Sequence, residues 1–237
     1  MAEIQNSKPL IPQHIVVFPD GNRRWARERN LSVAEGYKEG YRNFQRFLVH
    51  CKKRGVKVLT IFGFSTENWS RPQEEVEFLM QFFIEAVSNT ESIQQLKKEG
   101  VRVWIIGQKD RLTPVLQEKI ARMEETLKDE KSFHLNLAVS YGGRWDIVQA
   151  AQQLIKEGIH AEQITEEKFA QYLSTAGLPD PDLIIRAGGE KRLSNFVLWQ
   201  AAYAELYFSP KYWPDFNEPE LDEALEEFAR RQRRFGK

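Results

Sequence analysis

What most constrains this chain is a regular alternation. Short, continuously apolar, β-branched runs are interleaved with longer segments of helical period. HIVVF (14–18), VKVLTIFGF (56–64), VRVWIIG (101–107), FHLNLAVS (133–140), DLIIR (182–186) and AELYF (204–208) read as strands. Between and after them, residues 34–54, 72–87, 91–99, 113–128, 144–157, 165–174 and 218–233 read as helices. In the first of these helices Phe44, Phe47, Leu48 and Cys51 recur on one stripe, and Gly55 ends it. Ser70 is placed to cap the helix that starts near Pro72. Strands without polar alternation are buried on both faces, so the expected fold is a mostly parallel sheet flanked by helices, with AELYF a candidate sixth strand. The 237 residues show no repeat and no linker, which predicts one α/β domain, with residues 1–12 a flexible N-terminal segment.

Charge narrows the choice of partner. Lys+Arg and Asp+Glu both number 34, so no bulk basic field recruits nucleic acid. One cysteine, Cys51, excludes an intrachain disulfide framework or a multi-thiolate metal site and reads as a small buried hydrophobe. The four histidines lack metal-ligand spacing. No apolar run reaches the length of a membrane span, and the first residues lack a signal-peptide core. The expectation is a cytoplasmic protein, with contact at a membrane surface left open.

In open parallel sheets ligands bind beyond the carboxyl ends of strands. There this chain places PDGNRRW (19–25), STENWSR (65–71), YGGRWD (141–146) and RAGGEKRLSN (186–195). Pro19-Asp20-Gly21-Asn22 could be an ordinary turn. It could equally form a nest of N–H groups for an anion, with Arg23 and Arg24 supplying charge-assisted bonds to phosphate. Asp20 would repel that phosphate unless a divalent cation stood between them; Mg²⁺ typically takes one or two carboxylates plus substrate phosphates. RAGGEKRLSN offers a second anion site through Arg186, Arg192 and Ser194, against the alternative of a solvated loop. Two such loops imply two phosphorylated substrates or one long one. Neither is a Walker loop, and no GxGxxG or DDxxD pattern occurs. Apolar residues cover most of the circumference of helix 72–87. Full burial is the default reading, and the wall of an apolar cavity is the other. Phosphate loops beside such a cavity suit an anionic head on a hydrocarbon tail.

Together these segments resemble the cis-prenyltransferases, the family that includes undecaprenyl diphosphate synthase. The resemblance runs through HIVVFPDGNRRWA, FGFSTENWSRPQEEV, LNLAVSYGGRWDIV, PDLIIRAGGEKRLSNFVLWQAAYAELYF and the terminal RRFG. It implies one α/β domain around a six-stranded, mostly parallel sheet, with a hydrophobic tunnel, usually homodimeric. The implied reaction is Mg²⁺-dependent condensation of an allylic diphosphate with isopentenyl diphosphate to form Z double bonds. By this resemblance Asp20 positions Mg²⁺ and the allylic diphosphate, and Gly21, Asn22, Arg23, Arg24 and Trp25 belong to the loop that cradles it, with Asn22 also implicated in proton removal. Ser65, Glu67, Asn68, Trp69 and Arg71 order the site. Arg186, Arg192 and Ser194 hold isopentenyl diphosphate. Glu205 assists Mg²⁺ across a dimer, and Arg234, Phe235 and Gly236 match a motif that reaches the partner's site.

The chain also departs from the family pattern. Pro19 stands where methionine is common, Val33 where an arginine is found, Tyr37 in place of histidine, and Ala187 in place of Thr or Ser. Phe78 and Phe82 stand where smaller residues often line the tunnel, which hints at a shorter product. Three other readings compete. A non-catalytic subunit of the same fold would lose the aspartate and phosphate arginines, which this chain keeps. A branching or cyclising condensing enzyme would alter Asn22 and the FSxENW segment. A nucleic-acid module would need a basic face.

Overall fold

The computed structural model describes residues 10–231. Its strands are β1 (His14–Phe18), β2 (Val58–Ser65), β3 (Val101–Ile106), β4 (Phe133–Tyr141), β5 (Leu183–Arg186) and β6 (Glu205–Phe208). They form one sheet in the order β3-β4-β2-β1-β5-β6. Every pairing is parallel. The helices are α1 (Asn22–Glu28), α2 (Val33–Arg54), α3 (Gln73–Ser88), α4 (Thr90–Lys98), α5 (Pro114–Leu127), α6 (Gly143–Lys156), α7 (Glu166–Ala170) and α8 (Glu218–Arg230).

All five residues of β1 are buried, as expected of a central strand covered on both faces. Alternate residues serve different layers. Ile15 and Val17 join the larger core with Phe47, Leu79, Leu116 and Phe228 from α2, α3, α5 and α8. Val16 and Phe18 join a smaller core with Phe196 and Val197, against which Trp145 of α6 packs.

Three local readings of the sequence change. The PDGN turn is shorter than its composition suggests. Gly21 is left-handed (φ 98°), and a Cβ there would stand 2.5 Å from Tyr212 Cδ1; helix α1 begins at the next residue. Ser70 does not cap α3; its hydroxyl donates to the Glu67 carbonyl within a 3-10 turn, Thr66–Ser70. Helix α7 stops at Ala170, four residues short of the expected end.

β1 lies between β2 and β5, so the segments leaving these three strands converge at one end of the sheet. Helix α1 then packs on α2, where the Gly36 and Gly40 spacing opens a shallow groove. A Cβ at Gly36 would lie 2.5 Å from the Asn22 carbonyl oxygen, and one at Gly40 only 2.2 Å from Asn22 Oδ1.

Candidate active site

A cavity of about 1290 Å³ opens at the carboxyl ends of the central strands. Its mouth is polar. Asp20, Asn22, Arg23, Arg24, Ser65, Glu67, Asn68, Arg71, Arg186, Arg192 and Ser194 all line it, as does Gly21. Its interior is apolar, formed by Phe82, Phe83 and Ala86 of α3, Leu116 and Ile120 of α5, and Leu137 of β4. Helix α3 is therefore a cavity wall; only Leu79, Met80 and Val87 are buried, which replaces the expectation of full burial.

Asp20 holds the mouth together. Arg186 Nη2 donates to Asp20 Oδ2 at 2.8 Å, and Arg24 approaches Oδ1 at 3.4 Å. Register sets the first contact, because Arg186 of β5 pairs beside Phe18 of β1. Arg186 also donates to Ser194 Oγ at 2.8 Å and to the Arg192 carbonyl, and its guanidinium covers the Phe18 ring. Thus the three residues assigned to the second anion loop form one bonded unit. That loop is strained: Ser194, Asn195 and Val197 are non-glycine residues at φ 46°, 62° and 41°.

The STENWSR segment is tied in by its own hydrogen bonds. Asn68 Oδ1 accepts from the Ser65 N–H. Glu67 accepts from Asn195 Nδ2 at 2.8 Å and from the Thr66 hydroxyl. Burial pushes the Glu67 carboxyl up, but these hydrogen bonds, Asn195 foremost, outweigh it and hold the group below the usual carboxylate range. Arg71 donates to the Tyr37 hydroxyl at 2.9 Å and to Glu75 at 3.0 Å, and Tyr37 donates to Glu75 at 2.9 Å. Arg23 reaches the other Glu75 oxygen at 3.2 Å. Burial raises the Tyr37 phenol to about 12.

Three expected residues lie elsewhere. Trp25 donates its indole N–H to Asp215 at 2.8 Å and stacks under Arg29, outside the cavity lining. Trp69 donates to Ser140 Oγ and packs edge-on against Phe64, so it buttresses the site without lining it. Glu205 sits at the amino end of β6 and pairs with Arg231, so a single chain does not bring it to Asp20. Arg234, Phe235 and Gly236 fall outside the described residues. Tyr37 stands out in the sequence only as a departure, and Glu75, Glu190 and Asn195 carry no signal of their own as site residues; Asn195 directly follows Ser194, and the other two betray themselves only by pairing with site arginines. Pro19, Val33 and Tyr37, three of the four departures, all line the cavity, whereas Ala187 is buried in the core.

The donor set suits Mg²⁺. Asp20 offers a hard carboxylate, and Asn22 Oδ1 is buried without a hydrogen-bond partner. Among the described residues no group of three or more His, Cys, Asp or Glu could form a dedicated metal cage.

Residues 18–236 match the undecaprenyl diphosphate synthase family model, Prenyltransf. The chain belongs to this prenyltransferase family. It is 46% identical, over 230 residues covering 95% of this chain and 96% of the relative, to the ditrans,polycis-undecaprenyl-diphosphate synthase ((2E,6E)-farnesyl-diphosphate specific) of Legionella pneumophila strain Paris. It is 46% identical over 227 residues, 96% of this chain and 90% of the relative, to the isoprenyl transferase of Neisseria gonorrhoeae. Among solved structures, the lavandulyl diphosphate synthase of Lavandula x intermedia, in complex with dimethylallyl diphosphate, superposes with a TM-score of 0.91 at 38% identity, covering 96% of this chain and 99% of that one. A probable undecaprenyl diphosphate synthase of Campylobacter jejuni gives 0.80 at 36%, covering 95% and 99%. This prenyltransferase has no helix among its described residues long and apolar enough to cross a membrane.

Proposed function

We propose that this cis-prenyltransferase condenses isopentenyl diphosphate with an allylic prenyl diphosphate and elongates the product in its cavity. The observation that carries the reading is the amphiphilic cavity. An arginine-rich mouth organised by Asp20 runs into an apolar interior, and its 1290 Å³ exceeds the ~300–1,000 Å³ of ordinary small-molecule pockets. Arg23, Arg24 and Arg71 bind the allylic diphosphate, and Arg186, Arg192 and Ser194 bind that of isopentenyl diphosphate. Mg²⁺, held by Asp20 and the substrate phosphates, would neutralise charge on the leaving diphosphate.

The allylic C–O bond breaks as positive charge builds on carbon, and the arginines stabilise the departing anion. The isopentenyl double bond attacks that carbon. A proton then leaves its C2 for the departing diphosphate, a transfer that Asn22 assists in this reading. Holding both diphosphates side by side supplies much of the rate through proximity. The chain grows toward Phe82, Phe83 and Ile120.

A homodimer completes this reading. Val148 and Ile155 of α6 are 54% and 75% exposed, Tyr203 is 70% exposed, and β6 is a sheet edge nearby. A second copy seated there would cover these groups, and the family resemblance gives that copy's Glu205 a part in the first copy's site. Leu31 and Val33, exposed on the cavity rim, suit brief contact with a membrane when the apolar product leaves.

The lavandulyl diphosphate synthase superposition favours one second reading, a branching condensation. One experiment separates the two. The protein is incubated with Mg²⁺, labelled isopentenyl diphosphate and C10, C15 or C20 primers, and separately with dimethylallyl diphosphate alone; the products are sized and their connectivity read by NMR. Linear Z products support the main reading, and branched products from dimethylallyl diphosphate alone would replace it. Asp20→Ala should abolish condensation, so normal turnover by that variant would sink the mechanism.

A further inference from the structure

We infer that Glu190 is an internal anion that occupies arginines of both diphosphate subsites in the resting protein and couples their filling. The inference rests on the two-diphosphate reading above. Each Glu190 oxygen serves a different arginine. Arg24 of α1 donates to Oε1 at 3.4 Å, and Arg192 of the second anion loop donates to Oε2. Both arginines line the cavity. Arg24 belongs to the loop assigned to the allylic diphosphate and Arg192 to that assigned to isopentenyl diphosphate. Glu190 is thus a second carboxylate bridge between the two anion loops, beside Asp20, which joins Arg24 to Arg186.

The chemistry follows from like charge. A guanidinium fork donates to carboxylate and phosphate oxygens alike. A diphosphate arriving at Arg24 therefore competes with Glu190 Oε1 and repels the carboxylate carrying it. Once Glu190 withdraws, Arg192 loses its partner too and is free for the second diphosphate. The first ligand to bind thereby does part of the work for the second, which is positive coupling. The Glu190 side chain is about one-third exposed, so it can leave for water with little desolvation cost.

The test uses the full chain and isothermal titration with inorganic diphosphate, with and without Mg²⁺, on wild type and Glu190→Gln. Removing the competing charge should tighten inorganic diphosphate by about two- to fivefold in both conditions, the range expected of a partly exposed ion pair. In wild type, an unreactive thiodiphosphate analogue of the allylic substrate should tighten isopentenyl diphosphate by a similar factor, and this effect should vanish in Glu190→Gln. Glu190→Ala should repeat both results, since a merely damaged loop would weaken binding. Weaker binding by either variant, or coupling that survives the substitution, overturns the inference. Weakening confined to the Mg²⁺ condition would make Glu190 a metal ligand instead. Wild type that binds no diphosphate at all would remove the two-diphosphate reading along with it.

Discussion

Gly40→Ala probes how closely the fold holds Asn22, which the proposed mechanism places beside the reacting atoms. A Cβ at residue 40 would stand 2.2 Å from Asn22 Oδ1, 3.0 Å from its Cγ and 3.2 Å from Trp213 Cδ1. Trp213 is buried and anchored through its indole N–H to the Gly40 carbonyl at 2.8 Å, so it cannot give way. The Asn22 amide must instead retreat by roughly 1 Å, a misplacement that can cost on the order of 100-fold in rate. Its retreat strains the 3.0 Å bond from Nδ2 to the Pro19 carbonyl, worth about 1 kcal/mol. Replacing glycine inside a helix returns about 1 kcal/mol. Stability should therefore change little while kcat falls about two orders of magnitude. Urea denaturation and steady-state condensation read the two quantities. Gly55→Ala is the opposite control: nothing lies within 4 Å, but φ is +92°, so it should cost about 1–2 kcal/mol and leave kcat unchanged. A Gly40→Ala enzyme with wild-type kcat would refute the view that Asn22 works from a position fixed by this groove.

Three further outcomes are expected. Burial, against the hydrogen bond from its ring to the Pro179 carbonyl, lowers the His14 pKa to about 4. Above pH 6.5 both folded and unfolded forms are neutral; below it only the unfolded chain takes the proton, so stability should fall by about 3 kcal/mol by pH 4. Urea titrations at several pH values check this, and His14→Asn should flatten that component. Asp146, nearly fully buried, accepts hydrogen bonds from Tyr141, Gln149, Ser174 and Gln200, so Asp146→Ala should cost about 3 kcal/mol or more by the same assay. Tyr37→Phe removes the hydroxyl shared by Arg71 and Glu75; about 1 kcal/mol corresponds to roughly a fivefold rise in KM for the allylic substrate, with that for isopentenyl diphosphate unmoved.

The strands were legible because continuous burial leaves an unbroken apolar run: β1 occupies the expected residues 14–18, and the others differ only at their ends. Helix α1 was not, because its seven residues begin with Asn behind a glycine and so carry turn chemistry. The site's anchors were legible because they sit directly after strands. Their pairings were not. Glu75 and Glu190 are ordinary surface-type residues in sequence, and only folding brings them to Arg23, Arg24, Arg71 and Arg192. Asp146 shows the converse, since its conspicuous place in YGGRWD serves the core rather than the cavity.

Beside the chemical task that the proposed mechanism gives it, Asp20 has a structural one, and this alters how its substitution is read. Arg186 is only 4% exposed, and its Nε already lacks a hydrogen-bond partner. Its Nη2 is compensated by Asp20. Stripping the partner from a buried charge costs about 3–5 kcal/mol at full burial, and less here because Asp20 itself is one-third exposed. Asp20→Ala should therefore lose stability along with activity. Asp20→Asn keeps an oxygen that can accept from Arg186 while discarding the negative charge. It should melt closer to wild type than the alanine variant and still fail to condense, since one neutral amide oxygen neither neutralises Arg186 nor attracts Mg²⁺. Comparing their melting temperatures and turnover separates the two tasks. An Asp20→Asn enzyme with substantial activity would show that Asp20 matters as a partner of Arg186 and not as a carboxylate.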